Sequence, residues 1–201
     1  MTSTAPAASA ASVSTCPSTA PAHALFAAIA ADASPAAQAL AGANEYGAIT
    51  RALCSDPVQP HPFDTLDDVK SANSRAGYKW FAPDTLRFFA SRPSKIVYGH
   101  GLFVSSELDF DSTTRRYTVR LALPTGEIET LGDFQQFATS GQAHAFARKV
   151  AALWSPIALA YWAPHVAAQR AQDERRRERA GRYPVSDKAL AFGIAAAERA
   201  D

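Results

Sequence analysis

The chain has 201 residues and a formal net charge of +1. This length fits one domain of ordinary size with additional segments, and the small charge gives the whole chain no bias toward nucleic acid or an acidic surface. The two cysteines, Cys16 and Cys54, form no CxxC pair, so a disulfide scaffold is not expected and a reducing compartment is favoured. With neither a signal-peptide pattern nor an apolar run of about 18 residues, the sequence predicts a cytoplasmic protein without a membrane span.

The charge is unevenly distributed along the chain. Residues 1–64 carry one basic and four acidic side chains, a net of −3, and residues 65–140 carry nine of each. Residues 141–201 carry ten basic and six acidic side chains, a net of +4. The positive charge is therefore concentrated in the carboxyl-terminal segment.

Three segments precede the main folding unit. Residues 1–21 contain mostly Ala, Ser, Thr and Pro, which bury too little apolar surface to offset the entropy of ordering, so a disordered arm is predicted. Residues 22–55 form an alanine-rich helical segment, whose short helices need a partner surface because isolated helices are marginal in water. Residues 56–64 read as a proline-rich linker.

The sequence of residues 65–155 predicts a central domain of class α+β. Its order is α-β-β-β-α, with an antiparallel three-stranded meander, helices on one face, and alanine-rich helices flanking it. The first helix should begin at Pro83 or Asp84. Strand one should run from about Lys95 to Leu108, with Gly99 and Gly101 marking a bulge, a tight bend or a close approach by another backbone.

The second strand alternates cleanly, which is typical of a sheet with one water-exposed face. Tyr117, Val119, Leu121 and Leu123 point one way, and Arg116, Thr118, Arg120 and Ala122 point the other. The third strand continues through Ile128 and Leu131.

The second helix of this domain should begin near Ser140, with a core-facing stripe that includes Ala143, Phe146 and Val150. Pro156 and Pro164 are predicted to interrupt it. Residues 156–201 then form a helical, arginine-rich carboxyl-terminal segment, which ends in a short helix over residues 187–200.

Arginines supply the clearest functional signal. A cluster at positions 175–179 has two interpretations. The interleaved acidic residues favour a solvated helix with ion pairs, such as Asp173 with Arg177 at i, i+4, and the alternative is a phosphate-contacting arm. The exposed strand face adds further cations. The candidate nucleic-acid-binding residues are Arg87, Arg116, Arg120, Arg175, Arg176, Arg177 and Arg179.

A second hypothesis is a protein-interaction or structural module without nucleic-acid binding. Its interface would be an apolar patch formed by Ile157, Leu159, Tyr161 and Trp162.

An enzyme is the third alternative, but no catalytic residues are assigned. The sequence shows no metal-ligand spacing among its five histidines, no cofactor motif and no nucleophile motif. The single constellation that adjacent strands could assemble is His100 with Glu107 and Arg120. We therefore expect a non-enzymatic binding module that needs no cofactor or metal.

Three stretches carry a resemblance to a known family. Residues 77–93 read GYKWFAPDTLRFFASRP, residues 95–107 read KIVYGHGLFVSSE and residues 115–139 read RRYTVRLALPTGEIETLGDFQQFAT. Over residues 72–150 the chain resembles a domain family of unknown function that is found mainly in bacteriophages and bacterial mobile elements. Ala82 stands where that family has serine, and His100 where it has a second glycine. The resemblance implies a fold and an origin of phage or mobile-element type, and no activity.

Overall fold

The computed structural model describes residues 20–29, 31–109 and 113–182. Within these ranges it contains six helices and four strands. In chain order they are α1 (Ala20–Ile29), α2 (Pro35–Ala43), α3 (Ala48–Leu53), α4 (Leu66–Arg75), α5 (Pro83–Phe88), β1 (Arg92–Tyr98), β2 (Leu102–Leu108), β3 (Arg115–Ala122), β4 (Ile128–Leu131) and α6 (Ser140–Arg182). The arm predicted at residues 1–21 lies outside the described residues except for Ala20 and Pro21, and the helix predicted at 187–200 lies wholly outside them.

Local capping sequences fix where the helices begin. Thr65 and Asp68 form a capping box at α4, in which each side chain accepts a hydrogen bond from the other residue's backbone N–H. Thr139 and Gln142 make the same reciprocal pair at the start of α6. Pro83 occupies the first turn of α5, where a missing N–H costs nothing. The predicted starts of α5 and α6 are both confirmed.

The sheet is an antiparallel meander of four strands in the order β1-β2-β3-β4, so the chain is α+β as predicted. The prediction of three strands is wrong, because the stretch predicted as the first strand forms two strands, β1 and β2. Gly99, His100 and Gly101 all have positive φ and turn the chain back between β1 and β2. The glycines therefore mark the tight bend that was one of the predicted alternatives, here a hairpin turn, and at Gly101 also the close approach of another backbone, since a Cβ there would lie 2.8 Å from the Ala122 carbonyl oxygen.

Both faces of the sheet are covered, so the predicted helices on one face and water on the other are also wrong. Helix α6 packs on the apolar face, which carries Leu102, Val104, Val119, Leu121 and Leu131. On the other face, Trp80 and Phe81 lie 5.5 and 5.9 Å from Phe103, measured between ring centroids. Of the side chains expected to face water, Thr118 and Ala122 are buried, and Arg120 is 9% exposed. We call this second side of the sheet the polar face.

Helix α6 is continuous for 43 residues, which corresponds to about 65 Å, and the predicted interruptions at Pro156 and Pro164 do not occur. Pro156 lies on the solvent side of the helix, where water can satisfy the carbonyl that loses its N–H partner. Buried residues on both sides of it, including Trp154 and Ile157, hold the helix against the body of the protein.

One apolar cluster joins segments that the sequence divides. Leu40, Ile49 and Leu53 from the amino-terminal helices are fully buried in the same cluster as the sheet and α6. Within residues 56–64, Phe63 is 1% exposed and packs edge-on against Trp162. The proposed domain boundaries stay a prediction, but the segments on either side of them share a core.

In the described ranges, none of the helices combines the length and the apolar character that crossing a membrane requires.

Candidate binding pocket and arginine surface

A buried polar cluster occupies the centre of the polar face. The Glu107 carboxylate is fully buried and accepts hydrogen bonds from the hydroxyls of Ser91 (3.1 Å), Ser105 (2.6 Å) and Thr118 (3.0 Å). It also accepts a hydrogen bond from Nη2 of Arg120 at 3.2 Å, which makes an ion pair. Four donors around one carboxylate supply the hydrogen bonding that a buried charge requires.

Arg120 is held from several sides. Its Nη1 donates to the Thr130 hydroxyl, and its guanidinium carbon lies 5.7 Å from the ring centroid of Trp80 and 5.5 Å from that of Phe134. These distances are typical of cation–π contacts. Burial lowers the pKa of Arg120, and the Glu107 carboxylate acts in the opposite direction. Arginine keeps its charge under such a shift.

A cavity of about 290 Å³ opens beside this cluster, between α5 and the segment that follows β4. Its walls are mostly apolar, and Arg120 and Ser91 bring polar groups to it. Phe89 and Phe134 line the cavity while remaining 53% and 46% exposed, and neighbouring Phe88 is 82% exposed. The described residues that line it are Trp80, Thr85, Leu86, Phe89, Ser91, Arg120 and Phe134. We call this cavity the polar-face pocket.

The catalytic constellation considered from the sequence does not assemble. Glu107 and Arg120 do meet, but His100 lies in the β1–β2 turn, and its Nδ1 is 2.6 Å from Oδ1 of Asp64. The backbone carbonyl of His100 accepts a hydrogen bond from the Trp154 indole. His100 is therefore a turn residue with its own carboxylate partner.

One histidine has a neighbour that sequence spacing did not indicate. The Cys54 Sγ lies 3.4 Å from Nε2 of His23, although the two residues are 31 positions apart. This pair gains no third ligand, because the described ranges contain no group of three or more His, Cys, Asp or Glu side chains placed to hold a metal ion.

Three of the candidate nucleic-acid-binding arginines have partners within the chain. Arg87 forms an ion pair with Asp84 at 2.6 Å, and both side chains are exposed. Arg116 donates from Nε to the backbone carbonyl of Gln135 at 3.1 Å. Arg120 belongs to the buried cluster. The water-exposed strand face that was to present Arg116 and Arg120 together does not exist.

The other four candidates lie where α6 extends past the core. Every residue from 172 to 180 is exposed, and this stretch is helical throughout. Gln172, Arg175, Arg176 and Arg179 follow i, i+3, i+4, i+7 spacing, so they share one side of the helix. That side continues the line of Trp154, Ile157 and Tyr161, which is the core-facing stripe. We call Gln172, Arg175, Arg176 and Arg179 the arginine surface.

The acidic residues of this helical stretch lie at the edges of the arginine surface and opposite it. By helical spacing Asp173 and Glu178 stand at its two edges, and Glu174 lies on the opposite side. The expected Asp173–Arg177 ion pair does not form, and Asp173 instead accepts a hydrogen bond from Gln169 at 3.3 Å. In the described part of the chain, none of Arg175, Arg176, Arg177 and Arg179 has a carboxylate within 4.0 Å of its guanidinium.

The apolar patch proposed as a protein interface is wrong as an exposed surface. Ile157 and Tyr161 are fully buried and Trp162 is 2% exposed, because they form the stripe of α6 that faces the core. Leu159 alone among the four faces solvent, at 51% exposure.

Sequence reasoning missed Ser105 and Thr118 as members of a polar cluster and Phe134 as a pocket residue. One signal was present. Ser105 and Glu107 alternate with apolar residues in β2, in phase with Thr118 and Arg120 in β3. The pocket gave no such signal, because its walls come from residues more than 50 positions apart along the chain.

A comparison with known proteins finds a family model that matches part of the chain. Residues 65–148 match the model of a family described as a family of unknown function (DUF7447). The matched stretch runs from the Thr65 cap through the sheet to the first turns of α6, so it includes the polar face and leaves the arginine surface outside. No curated protein and no solved structure matches the chain.

Proposed function

We propose that this protein is a non-enzymatic binding module of phage or mobile-element type that associates with nucleic acid through the arginine surface of α6. One observation carries the proposal: an exposed helical extension presents Arg175, Arg176 and Arg179 on one side, and none of the described carboxylates pairs with them. The three interleaved acidic residues do not lie among these arginines: by helical spacing Glu174 is on the other side, and Asp173 and Glu178 are at the edges.

The chemistry of this surface suits phosphates. Arginine offers a planar fork of donors that matches phosphate oxygens, and Gln172 adds a neutral donor. Arg179 lies about 4.5 Å along the helix axis from Arg176 and about 6 Å from Arg175, which allows these arginines to contact neighbouring phosphates of one backbone. Such contacts are independent of sequence, so the proposal is for non-specific association.

The surroundings of the helix add a second wall. Residues Asp56–Pro60 border a hollow whose other side is formed by His165, Ala168, Gln169 and Gln172 of α6. Arg75 donates to Gln59 at 2.7 Å beside this hollow. The arginine surface therefore adjoins a concave corner between α6 and residues 56–60, which supports binding of a nucleic-acid strand along the helix.

The test compares two charge-matched double variants of the full-length protein. R176Q/R179Q removes two charges from the arginine surface, and R170Q/R177Q removes two charges from the other side of the same helix. Glutamine keeps helix propensity near that of arginine, so both variants should retain the helix. Binding to a fluorescent 20-base-pair duplex and to a 20-nucleotide single strand is measured by anisotropy between about 50 and 200 mM salt.

We expect the surface variant to weaken binding and to flatten the slope of log K against log salt by about 1.8 on duplex DNA, since each lost phosphate contact contributes about 0.9. The control variant should change the slope by less than half of that. Equal effects from both variants would contradict an oriented surface. A wild-type dissociation constant weaker than about 10⁻⁴ M at physiological salt would remove the nucleic-acid proposal.

A further inference from the structure

The polar-face pocket is a preformed site that the proposed function does not use. Its polar side is rigid, because Ser91 and Arg120 are both bonded to the buried Glu107 carboxylate. Its volume of about 290 Å³ exceeds the roughly 150 Å³ in which an apolar protein cavity binds benzene. The pocket can therefore take one six-membered ring with its substituents.

The charge of the pocket selects a neutral occupant. Arg120 is the single cation among the described residues that line the pocket, and Glu107 compensates its charge at 3.2 Å. A second carboxylate in the pocket would compete with a fully buried one that is already bonded to four donors. A cationic group on an occupant would be repelled by the guanidinium of Arg120. The pocket therefore has no favourable position for a charged group of either sign.

The remaining hydrogen-bond donors of Arg120 favour an occupant that carries an acceptor. A guanidinium has five N–H groups, and three of them donate to Ser105, Thr130 and Glu107. The described residues accept nothing from the remaining two. A neutral oxygen on the ligand, such as a phenol oxygen, can accept from this group in a site with little competing water.

The rim of the pocket favours a macromolecular source for that group. Phe88 and Phe89 are in edge-to-face contact at 5.0 Å, and both are more than half exposed. A free small molecule inside the pocket would leave Phe88 in water. A peptide segment that inserts one side chain would cover Phe88 with its flanking residues, which is the usual arrangement of an aromatic anchor in a protein interface.

A base from single-stranded nucleic acid fits the same observations less well. A stacked base brings its phosphate to the rim, where a cation is needed. The nearest cation on α5, Arg87, is already paired with Asp84, and Trp80 and Phe134 flank the guanidinium of Arg120 rather than an open slot.

We propose that the polar-face pocket is a docking site for a protein partner, which inserts a tyrosine side chain between Phe89 and Phe134 with its hydroxyl oxygen toward Arg120. This site lies on the sheet and α5, and the arginine surface lies at the far end of α6. The two proposals therefore stand or fall separately.

The experiment titrates ¹⁵N-labelled full-length protein with defined probes and follows the indole N–H resonance of Trp80, which is assigned with a Trp80→Phe variant. The probes are the blocked tripeptides Ala-Tyr-Ala, Ala-Phe-Ala and Ala-Leu-Ala, and uridine. We expect the tyrosine peptide to shift the Trp80 resonance and to leave Trp154 and Trp162 unmoved, because both belong to α6, which packs on the apolar face of the sheet. The phenylalanine peptide should bind at least about three-fold more weakly, since it lacks one hydrogen bond.

Two matched variants locate the effect. Phe89→Ala should weaken the tyrosine peptide by about five-fold or more, which is the usual loss for an anchoring contact. Leu159→Ala removes a side chain of similar exposure from α6 and should leave that affinity unchanged. Equal effects of the two variants, no Trp80 shift with any peptide, or tighter binding of uridine than of the tyrosine peptide would each overturn the proposal.

Discussion

Glu107 and Arg120 form their ion pair across two strands without being opposite each other. In the register of β2 and β3, Glu107 faces Arg116, and Arg120 faces Phe103. The Arg120 side chain therefore runs along the polar face, donates to Ser105 on the way, and reaches the carboxylate at 3.2 Å. Arg116, the residue directly opposite Glu107, donates instead to the backbone carbonyl of Gln135. Packing of Trp80 and Phe134 on the guanidinium favours this diagonal arrangement.

The diagonal pair should show strong energetic coupling. Glu107→Leu leaves a buried guanidinium and three hydroxyls without their acceptor, and Arg120→Met leaves a buried carboxylate without its cation. We expect each single variant to lower the free energy of unfolding by about 3 to 5 kcal/mol. The double variant should recover much of this, because two apolar side chains of similar size need no partners. Urea unfolding of the four proteins measures the coupling, and additive losses would show that the pair is not a unit.

Much of the local structure could be predicted from the sequence. The start of α5 follows from Pro83, and the start of α6 follows from the residues next to Ser140. Both were predictable because a few adjacent residues decide where a helix is capped. The alternation in β3 was also visible. What alternation cannot tell is whether the polar side of a strand faces water or a second layer. In this protein the second layer includes Trp80, which packs on the polar face and is 40 residues away from Arg120 in the sequence.

The helix that carries the arginine surface was predictable, but its continuity with the core helix was not. The sequence predicts a charged helix over the cluster at 175–179, separated from the core helix by breaks at Pro156 and Pro164. Tertiary packing of the buried stripe overrides that local signal, because the buried residues flanking each proline stabilise more than the lost hydrogen bond costs. The pocket was beyond prediction, since Thr85 and Phe134 meet only after the meander has formed.

The turn between β1 and β2 should tolerate no side chain at its second glycine. Gly101 has φ of 120°, and a Cβ there would lie 2.8 Å from the Ala122 carbonyl oxygen. We expect Gly101→Ala to lower the free energy of unfolding by at least about 2 kcal/mol, since it adds strain and a backbone clash. Gly42→Ala is the matched control, because nothing lies within 4 Å of its Cβ position and it sits inside α2. That variant should be stabilising by about 0.5–1 kcal/mol. Equal effects in thermal unfolding would contradict the turn geometry.

His144 should make stability fall in mild acid. Burial lowers the pKa of its imidazole below the ordinary 6.5, and Arg148 acts in the same direction. The unfolded chain therefore binds a proton more readily than the folded one. The contribution is present in full above pH 6.5 and is lost as the pH falls through the folded-state pKa.

The measurement for His144 is urea unfolding at several pH values between about 7.5 and 5 for the wild type and for His144→Gln. Glutamine retains an acceptor for the Tyr98 hydroxyl, which lies 3.1 Å from Nδ1 of His144. The variant should lose less stability over this range than the wild type. A steeper loss in the variant would reverse the sign of the argument.

The amino-terminal helices should unfold together with the sheet. Ile49 is fully buried in the apolar cluster that includes Trp154 and Trp162, so Ile49→Ala should lower the free energy of unfolding by about 2–4 kcal/mol. All three tryptophans lie outside residues 20–55, so their fluorescence reports the rest of the protein. If the core is one cooperative unit, the variant shifts the fluorescence transition and the circular-dichroism transition to the same lower urea concentration. Tyr46→Ala, at a side chain that is 82% exposed in the same region, should move neither by more than about 0.5 kcal/mol. A fluorescence transition that stays in place while the circular dichroism splits in two would establish residues 22–55 as a separate domain, and the shared apolar cluster would then be a contact between domains rather than a single core.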